Sequence, residues 1–465
     1  MSTNEGLARD ERRRIIVASM VGTTIEFFDF YIYATAAVSI FPLLFFPKGE
    51  GAAALLSSMA TFGVAFVARP IGSILFGHFG DRAGRKATLI GSLLLMGLAT
   101  FAVGLLPPYA SIGLLAPAVL ALLRFCQGLG LGGEWSGAAL LAAETAEPGK
   151  RAQAAMWPQL GAPFGFILAN GFFLALTIIF GFRSGAAQID DRFLVWGWRI
   201  PFLMSIVMVL VGLYARLKLQ ETPVFVRAVE RGEKLKSPLI EVVRHNSVEL
   251  VRGTFIMVAT YGLFYLMTTW ILSYAIGKVE LGLLGVDYRQ FLYLQLVSVV
   301  LFALFIPVSG FLADRFGRRR FLIAVTSAII LFGLSFGWFL SPATMGSGGQ
   351  ANLGLMLLFL SLGMSLMGLT FGPMSALLPE LFPTNTRYTG AGIAYNAASI
   401  IGAALTPFVA TWLAASYGAG SVGLYLACLG GSTLVALIAS AETRATDLET
   451  MEQDLAAAAI ETTSP

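Results

Sequence analysis

The feature that most restricts this chain is a succession of continuous apolar runs, each of 18 residues or more, filling nearly all of its 465 residues. A helix of that length crosses about 30 Å of hydrocarbon. Backbone amides in lipid must find their partners inside the structure that carries them, so helices and closed barrels are the only spanning solutions. Barrel strands need alternating segments of about 10 residues, and these runs do not alternate. The chain is therefore expected to be an all-α membrane protein. Charged residues make up 12% of it, about half the share found in soluble domains. The net charge of +4 then reads as membrane orientation and not as affinity for nucleic acid.

The runs predict twelve transmembrane helices, near 16–46, 53–79, 87–106, 112–143, 153–181, 196–217, 251–276, 290–312, 321–340, 353–378, 389–415 and 421–440. The first is too long for a signal-peptide core and contains acids, so it reads as an uncleaved span. This divides the chain into an N-terminal arm (1–15), a six-helix bundle (16–217), a charged linker (218–250), a second six-helix bundle (251–440) and a polar, loose tail (441–465). Within the linker, Ser237 followed by Pro238 and apolar residues at helical spacing predicts a short surface helix. Most Lys and Arg fall in the arm, the linker, the tail and alternate loops, which puts both termini on the cytoplasmic side.

The halves are related by duplication. GHFGDRAGRK, Gly77 to Lys86, returns as GFLADRFGRR, Gly310 to Arg319. A second pair follows the fourth and tenth runs, where Glu144 precedes Arg151, and Glu380 precedes Arg387, by the same spacing. Glycines in the repeat allow close helix approach while its Asp and basic residues stay at the water surface. The bland reading of these basic loops is topology signalling alone.

Inside the spans the first half carries charge and the second is almost bare. Glu26 and Asp29 lie three apart on the first run, about 16 to 21 Å into the membrane at 1.5 Å per residue. Arg69 and Arg124 fall at a similar depth, about 17 to 18 Å from their own ends. Charges there are costly unless they face a polar cavity or one another. Two readings stand: a structural ion-pair network, or a proton site beside an anion site. In the second, Glu26 or Asp29 takes the proton and Arg124 binds a substrate carboxylate, with Arg69 as the intramembrane partner. Glu134 is either a satisfied partner of Arg69 or a proton relay. Uncharged candidates for a central cavity are Tyr33, Gln127, Gln159, Tyr261, Tyr265, Trp270, Tyr395 and Asn396. His78 and His245 suggest no role. Cys126 and Cys428 lie inside apolar runs and behave as small hydrophobes. GLGLGG, within a span and without a preceding strand, is not a nucleotide loop. There is no nucleophile with a base and no metal-ligand cluster, so the chain is not expected to be an enzyme or to need a cofactor.

These residues resemble a known family. Twelve spans with two G-x-x-x-D-R-x-G-R-[KR] motifs resemble the major facilitator superfamily. IEFFDFYIY, FVARPIGSILFGHFGDRAGRK, RFCQGLGLGGEWSGAALL, WGWRIPFL and LLPELFPTNTRYTGAG are similar to its metabolite:proton symporters, which carry shikimate, 2-oxoglutarate, citrate, dicarboxylates, proline and betaine. The resemblance implies proton-driven uptake of a small carboxylate or zwitterion across a bacterial inner membrane, by a chain that functions as a monomer. It also implies a cytoplasmic gate built from Asp81, Arg82, Arg85, Glu144 and Arg151 in one half and Asp314, Arg315, Arg318, Glu380 and Arg387 in the other. The rival readings are a proton antiporter that exports its solute and a transporter-like nutrient sensor.

Overall fold

The computed structural model describes residues 9–46, 51–83, 85–132, 146, 149–180, 192–217, 238–346, 351–382 and 387–444. Every regular element among them is helical. The long helices are α1 (Arg9–Ser39), α2 (Gly51–Ala83), α3 (Arg85–Leu105), α4 (Leu115–Gly132), α5 (Arg151–Ile179), α6 (Arg199–Leu217), α7 (Ser247–Ile276), α8 (Tyr288–Phe316), α9 (Arg318–Leu334), α10 (Leu353–Glu380), α11 (Arg387–Ser399, continuing through Ile400–Ala404 to Leu405–Tyr417) and α12 (Ala419–Ile438). Eleven of the described helices are long and apolar enough to cross a membrane; in the expected third run the apolar stretch Ile90–Leu105 is shorter. A separate helix, Pro238–His245, occupies the linker and starts at its proline, where the missing amide costs nothing.

The halves repeat one packing plan. In the first, α2 packs on α4, α1 on α5, and α3 on α6; in the second, α8 packs on α10, α7 on α11, and α9 on α12. Glycine sets the closeness. A Cβ on Gly72 would meet the Leu129 carbonyl at 2.1 Å, and one on Gly128 the Ala65 carbonyl at 2.2 Å, so α2 and α4 touch backbone to backbone. The second half does the same with Gly368 and Gly372 of α10 against Phe302 and Ile306 of α8. Without a hydrophobic drive between helices in lipid, such close van der Waals packing is what holds them together. Three helical stretches widen to π-type turns: Phe193–Gly197 before α6, Leu266–Trp270 in α7 and Ile400–Ala404 in α11. Turns of this kind gather at functional sites, and the last two lie on the helices that line the seam between halves.

One expectation needs correction. The first residues of the tail, 441–444, are not loose. Glu442 accepts from the amides of Arg318 (2.9 Å) and Arg319 (3.1 Å), Thr443 donates to Glu380 (2.7 Å), and Arg444 donates to the Arg315 carbonyl (3.0 Å). Glu442 thereby caps the first turn of α9, where an acid is favoured by the exposed amides and the helix dipole. Of the expected fourth run, the part after Gly132 lies outside the described residues.

Candidate functional site

The sequence places four charges at one depth, and the structure divides them into two settings. Arg124 of α4 is 1% exposed. Its Nη1 donates to Gln127 Oε1 (3.0 Å), Gln127 Nε2 donates to Thr100 Oγ1 (2.8 Å), and Thr100 donates to Asp29 Oδ2 (3.1 Å). Three helices, α1, α3 and α4, thus contribute to a line of side chains reaching from a carboxylate to a guanidinium. Thr100 has one proton and two acceptors within reach, since the Met96 carbonyl is also 3.0 Å away. Its hydroxyl can favour Asp29 or its own helix, but not both. Asp29 Oδ1 and Arg124 Nε and Nη2 have no hydrogen-bond partner among the described residues. Rings cover Arg124 instead: Tyr33 at 4.1 Å, Phe30 at 4.9 Å and Phe62 at 4.9 Å from its Cζ. Each desolvated contact of this type is worth roughly 0.5 to 2 kcal/mol. Tyr33 also donates to Thr61 (3.3 Å).

Arg69 of α2 approaches the same Phe30 ring. Its Cζ lies 4.8 Å from the Phe66 ring and 5.7 Å from that of Phe30, and it is electrostatically coupled to Tyr265, Tyr261, Tyr395 and Glu26. Between the halves lies a small cavity, with room for about one water (≈10 Å³). The first half contributes Phe27 and Arg69 to its wall; α7 contributes Met257, Thr260, Tyr261, Phe264 and Tyr265; α10 and α11 add Met367, Phe371 and Tyr395. The five α7 positions are one helical face, at i, i+3, i+4, i+7 and i+8. Ring contacts close the layer across the seam: Phe27 meets Phe264 at 5.9 Å, Phe30 meets Tyr265 at 5.5 Å, and Phe66 meets Tyr265 at 5.3 Å.

Of the candidate residues, Arg69, Tyr261, Tyr265 and Tyr395 line this cavity. Arg124, Gln127, Tyr33 and Asp29 are buried and not among its lining residues. Gln159 is buried beside the break at Leu160 that divides α5. Two candidates face elsewhere. Trp270 stacks on Tyr274 (5.2 Å) and Phe336 (6.4 Å), inside the second half. Asn396 donates to Ser73 (2.6 Å), stitching α11 to α2. Thr260 and Thr100 escaped the sequence reading: the i, i+4 spacing from Thr260 to Phe264 beside Tyr261 and Tyr265 marks the first, while nothing in the apolar run around Thr100 marks the second.

The seam is closed at both ends. At the end bearing the second motif, Asp314 of α8 accepts from the amides of Ala152 (3.3 Å) and Gln153 (3.0 Å), capping α5 across the halves. Arg318 pairs with Asp314 (3.2 Å) and with Glu380 (2.9 Å), and Arg151 approaches Glu380 at 3.7 Å. Arg318, Glu380 and Asp314 are all buried. Ser375 donates to the Ala155 carbonyl (2.9 Å) beside them. Arg387 is buried and donates to the Phe382 carbonyl (3.2 Å) at the same end. Arg315 is the exception: it is exposed and stacks on its neighbour Phe316 at 5.4 Å, so it is not part of this network. The side chains of Asp81, Arg82, Arg85, Glu134 and Glu144 lie outside the described residues. At the far end, Arg289 of α8 donates to the Thr177 carbonyl of α5, and Gly63 of α2 lies against Ala404 of α11. A roomier cleft there, about 420 Å³, is lined by Asp287, Arg289 and Gln290. Asp287 caps α8 and Arg289 holds α5 there.

Comparison with known proteins gives consistent results. The family model of the Major Facilitator Superfamily matches residues 19–400 and 283–460. The inner membrane metabolite transport protein YhjE of Escherichia coli (strain K12) is 53% identical over 435 residues, covering 94% of this chain and 95% of that protein. The shikimate transporter of the same organism is 35% identical, covering 93% and 95%. The proline/betaine transporter of Salmonella typhimurium is 33% identical, covering 87% and 78%. Among solved structures, the proton:xylose symporter XylE superposes with a TM-score of 0.69 at 17% identity, covering 95% of this chain and 98% of that one.

Proposed function

The chain belongs to the major facilitator superfamily, and we propose that it is a twelve-span, two-bundle member that takes up a small organic carboxylate or zwitterion together with protons. The observation that carries this reading is the line Asp29–Thr100–Gln127–Arg124, buried beside a cavity that both halves build. An acid is kept at the midplane of such a protein at a cost of several kcal/mol, which function repays when the acid exchanges protons. Protonation of Asp29 weakens the acceptor that holds Thr100. The hydroxyl turns to the Met96 carbonyl, and the charge on Arg124 is left with the neutral Gln127 amide and the rings. Glu26, three residues before Asp29 on α1, would act in the same way on Arg69, whose charge it faces. Loading a proton therefore raises the cavity's affinity for an anion, and losing it releases that anion.

Alternating access supplies the movement. The two bundles rock about the cavity, opening one end as the other closes. Both termini are then cytoplasmic, in a bacterial inner membrane, and the Asp314–Arg318–Glu380 network is the inner latch, a charge cluster with a made and a broken arrangement. The names of the relatives favour uptake of a carboxylate or zwitterion, since two of them are described as transporters of shikimate and of proline and betaine.

Proteoliposomes loaded with a pH-sensitive dye test the reading. Addition of small organic acids and zwitterions should draw protons inward with the transported compound, and Asp29→Asn should abolish uphill accumulation while sparing exchange. Full accumulation by that variant would remove Asp29 from the coupling site, and proton exit on substrate addition would make the protein an antiporter.

A further inference from the structure

The cavity wall is asymmetric in its chemistry, and that asymmetry selects a class of substrate. Resting on the carrier reading above, we propose that the substrate is a monocarboxylate with an uncharged, hydrogen-bonding body, held at its carboxylate by Arg69 and at the body by Thr260 and the tyrosines beside it. Arg124 is not that anchor, because Tyr33, Phe30 and Phe62 cover it and Gln127 occupies one of its nitrogens.

Arg69 is 92% buried, and its Nε has no hydrogen-bond partner among the described residues. A guanidinium in that position offers a planar fork that suits a carboxylate. Thr260 supplies the second observation. Threonines in these helices satisfy themselves: Thr254, Thr268 and Thr406 donate to the carbonyl four residues before, at 2.8, 2.6 and 2.7 Å. Thr260 does not. It is 2% exposed, its hydroxyl has no partner among the described residues, and it lines the cavity. A buried hydroxyl left in this way gains most from a ligand group that bonds to it.

The remaining wall excludes other classes. The described lining residues include one charge, Arg69, and no carboxylate. A second carboxylate on the substrate would face Phe264, Phe371 and Met367 without a cation, and a primary ammonium would meet no acid on the wall itself, Glu26 facing Arg69 from outside the lining; both are costly in a dry site. Flat or cyclic bodies suit the faces of Phe27, Phe264 and Phe371. The cavity holds about one water as it stands, so the substrate enters only when the bundles part, and the same residues then close on it.

Binding to the full-length protein in detergent, by titration calorimetry, tests this apart from transport. Four probes share one ring: cyclohexanecarboxylate, its 3-hydroxy derivative, cyclohexane-1,3-dicarboxylate and 3-aminocyclohexanecarboxylate. The hydroxy acid should bind best, about tenfold tighter than the unsubstituted acid. Arg69→Gln should lose all of them. Thr260→Val, a near-isosteric change, should keep the unsubstituted acid and collapse the hydroxyl preference toward one. Tightest binding by the dicarboxylate or the amino acid overturns the class, an unchanged hydroxyl preference in Thr260→Val overturns the role of α7, and silence from all four probes overturns the site. Binding in the expected order without proton entry in proteoliposomes would leave this site standing and sink the proton-coupled reading instead.

Discussion

Two buried arginines, Arg124 at mid-depth and Arg318 at the second motif, are neutralised in opposite ways. Arg318 has two carboxylates against it, Asp314 and Glu380, at 3.2 and 2.9 Å. Arg124 has one amide oxygen and three aromatic faces, with its nearest acid reached only through Gln127 and Thr100. Carboxylates bind a guanidinium directionally, and breaking the pair strands a buried charge. Rings bind it diffusely and let go at smaller cost. The difference suits the two jobs assigned above. A latch needs a closed state with a definite geometry; a coupling site needs a cation whose partner can change from one moment to the next.

The contrast can be broken by mutation, beginning where the loss should be largest. Arg318→Ala leaves Glu380 buried beside only Arg151 and Thr443, and should destabilise the closed end by about 3 to 5 kcal/mol. Cysteine labelling along α5 near Ala155 should then rise well above wild type; an unchanged pattern would mean that the ion pairs do not hold the seam. Arg124→Lys keeps the charge but loses the planar stacking, and a drop in thermal stability equivalent to about 1 to 2 kcal/mol is expected. A variant as stable as the parent would show that the rings contribute little. Thr100→Val removes the hydroxyl that joins Asp29 to Gln127. Uphill accumulation should fall about tenfold, the equivalent of one strong hydrogen bond, with exchange preserved and Thr100→Ser restoring the rate. Equal loss of exchange would assign Thr100 a packing role. Arg315→Ala should be nearly silent, within about 0.5 kcal/mol, and a marked change in gating would draw this exposed residue back into the network.

Sequence alone reveals the helices, the duplicated motif and the four intramembrane charges, because each rests on a constraint visible in one dimension: span length, spacing and the cost of charge in lipid. It does not say which arginine meets the cavity. Arg69 and Arg124 have the same depth, and the ring of Phe30 that both approach is one phenylalanine among 36. Nor does it separate Arg315 from Arg318. Both stand in one basic string, and Gly317, with its φ of +93°, turns the chain so that one points outward and the other inward. The same limit hid the role of Glu442 and Thr443, whose polar stretch reads as solvated until its partners on α9 and α10 are known.

The clasp formed by Glu442, Thr443 and Arg444 bears on how the protein is made and handled. These residues follow α12, so a ribosome finishes α1 to α12 before it synthesises the groups that cap α9 and bond to Glu380. Until then the end of the second half that bears the motif lacks part of its fastening, and a chain cut just after Ile438 would keep α1 to α12 yet never acquire it. A reporter or purification tag should accordingly be joined beyond Arg444.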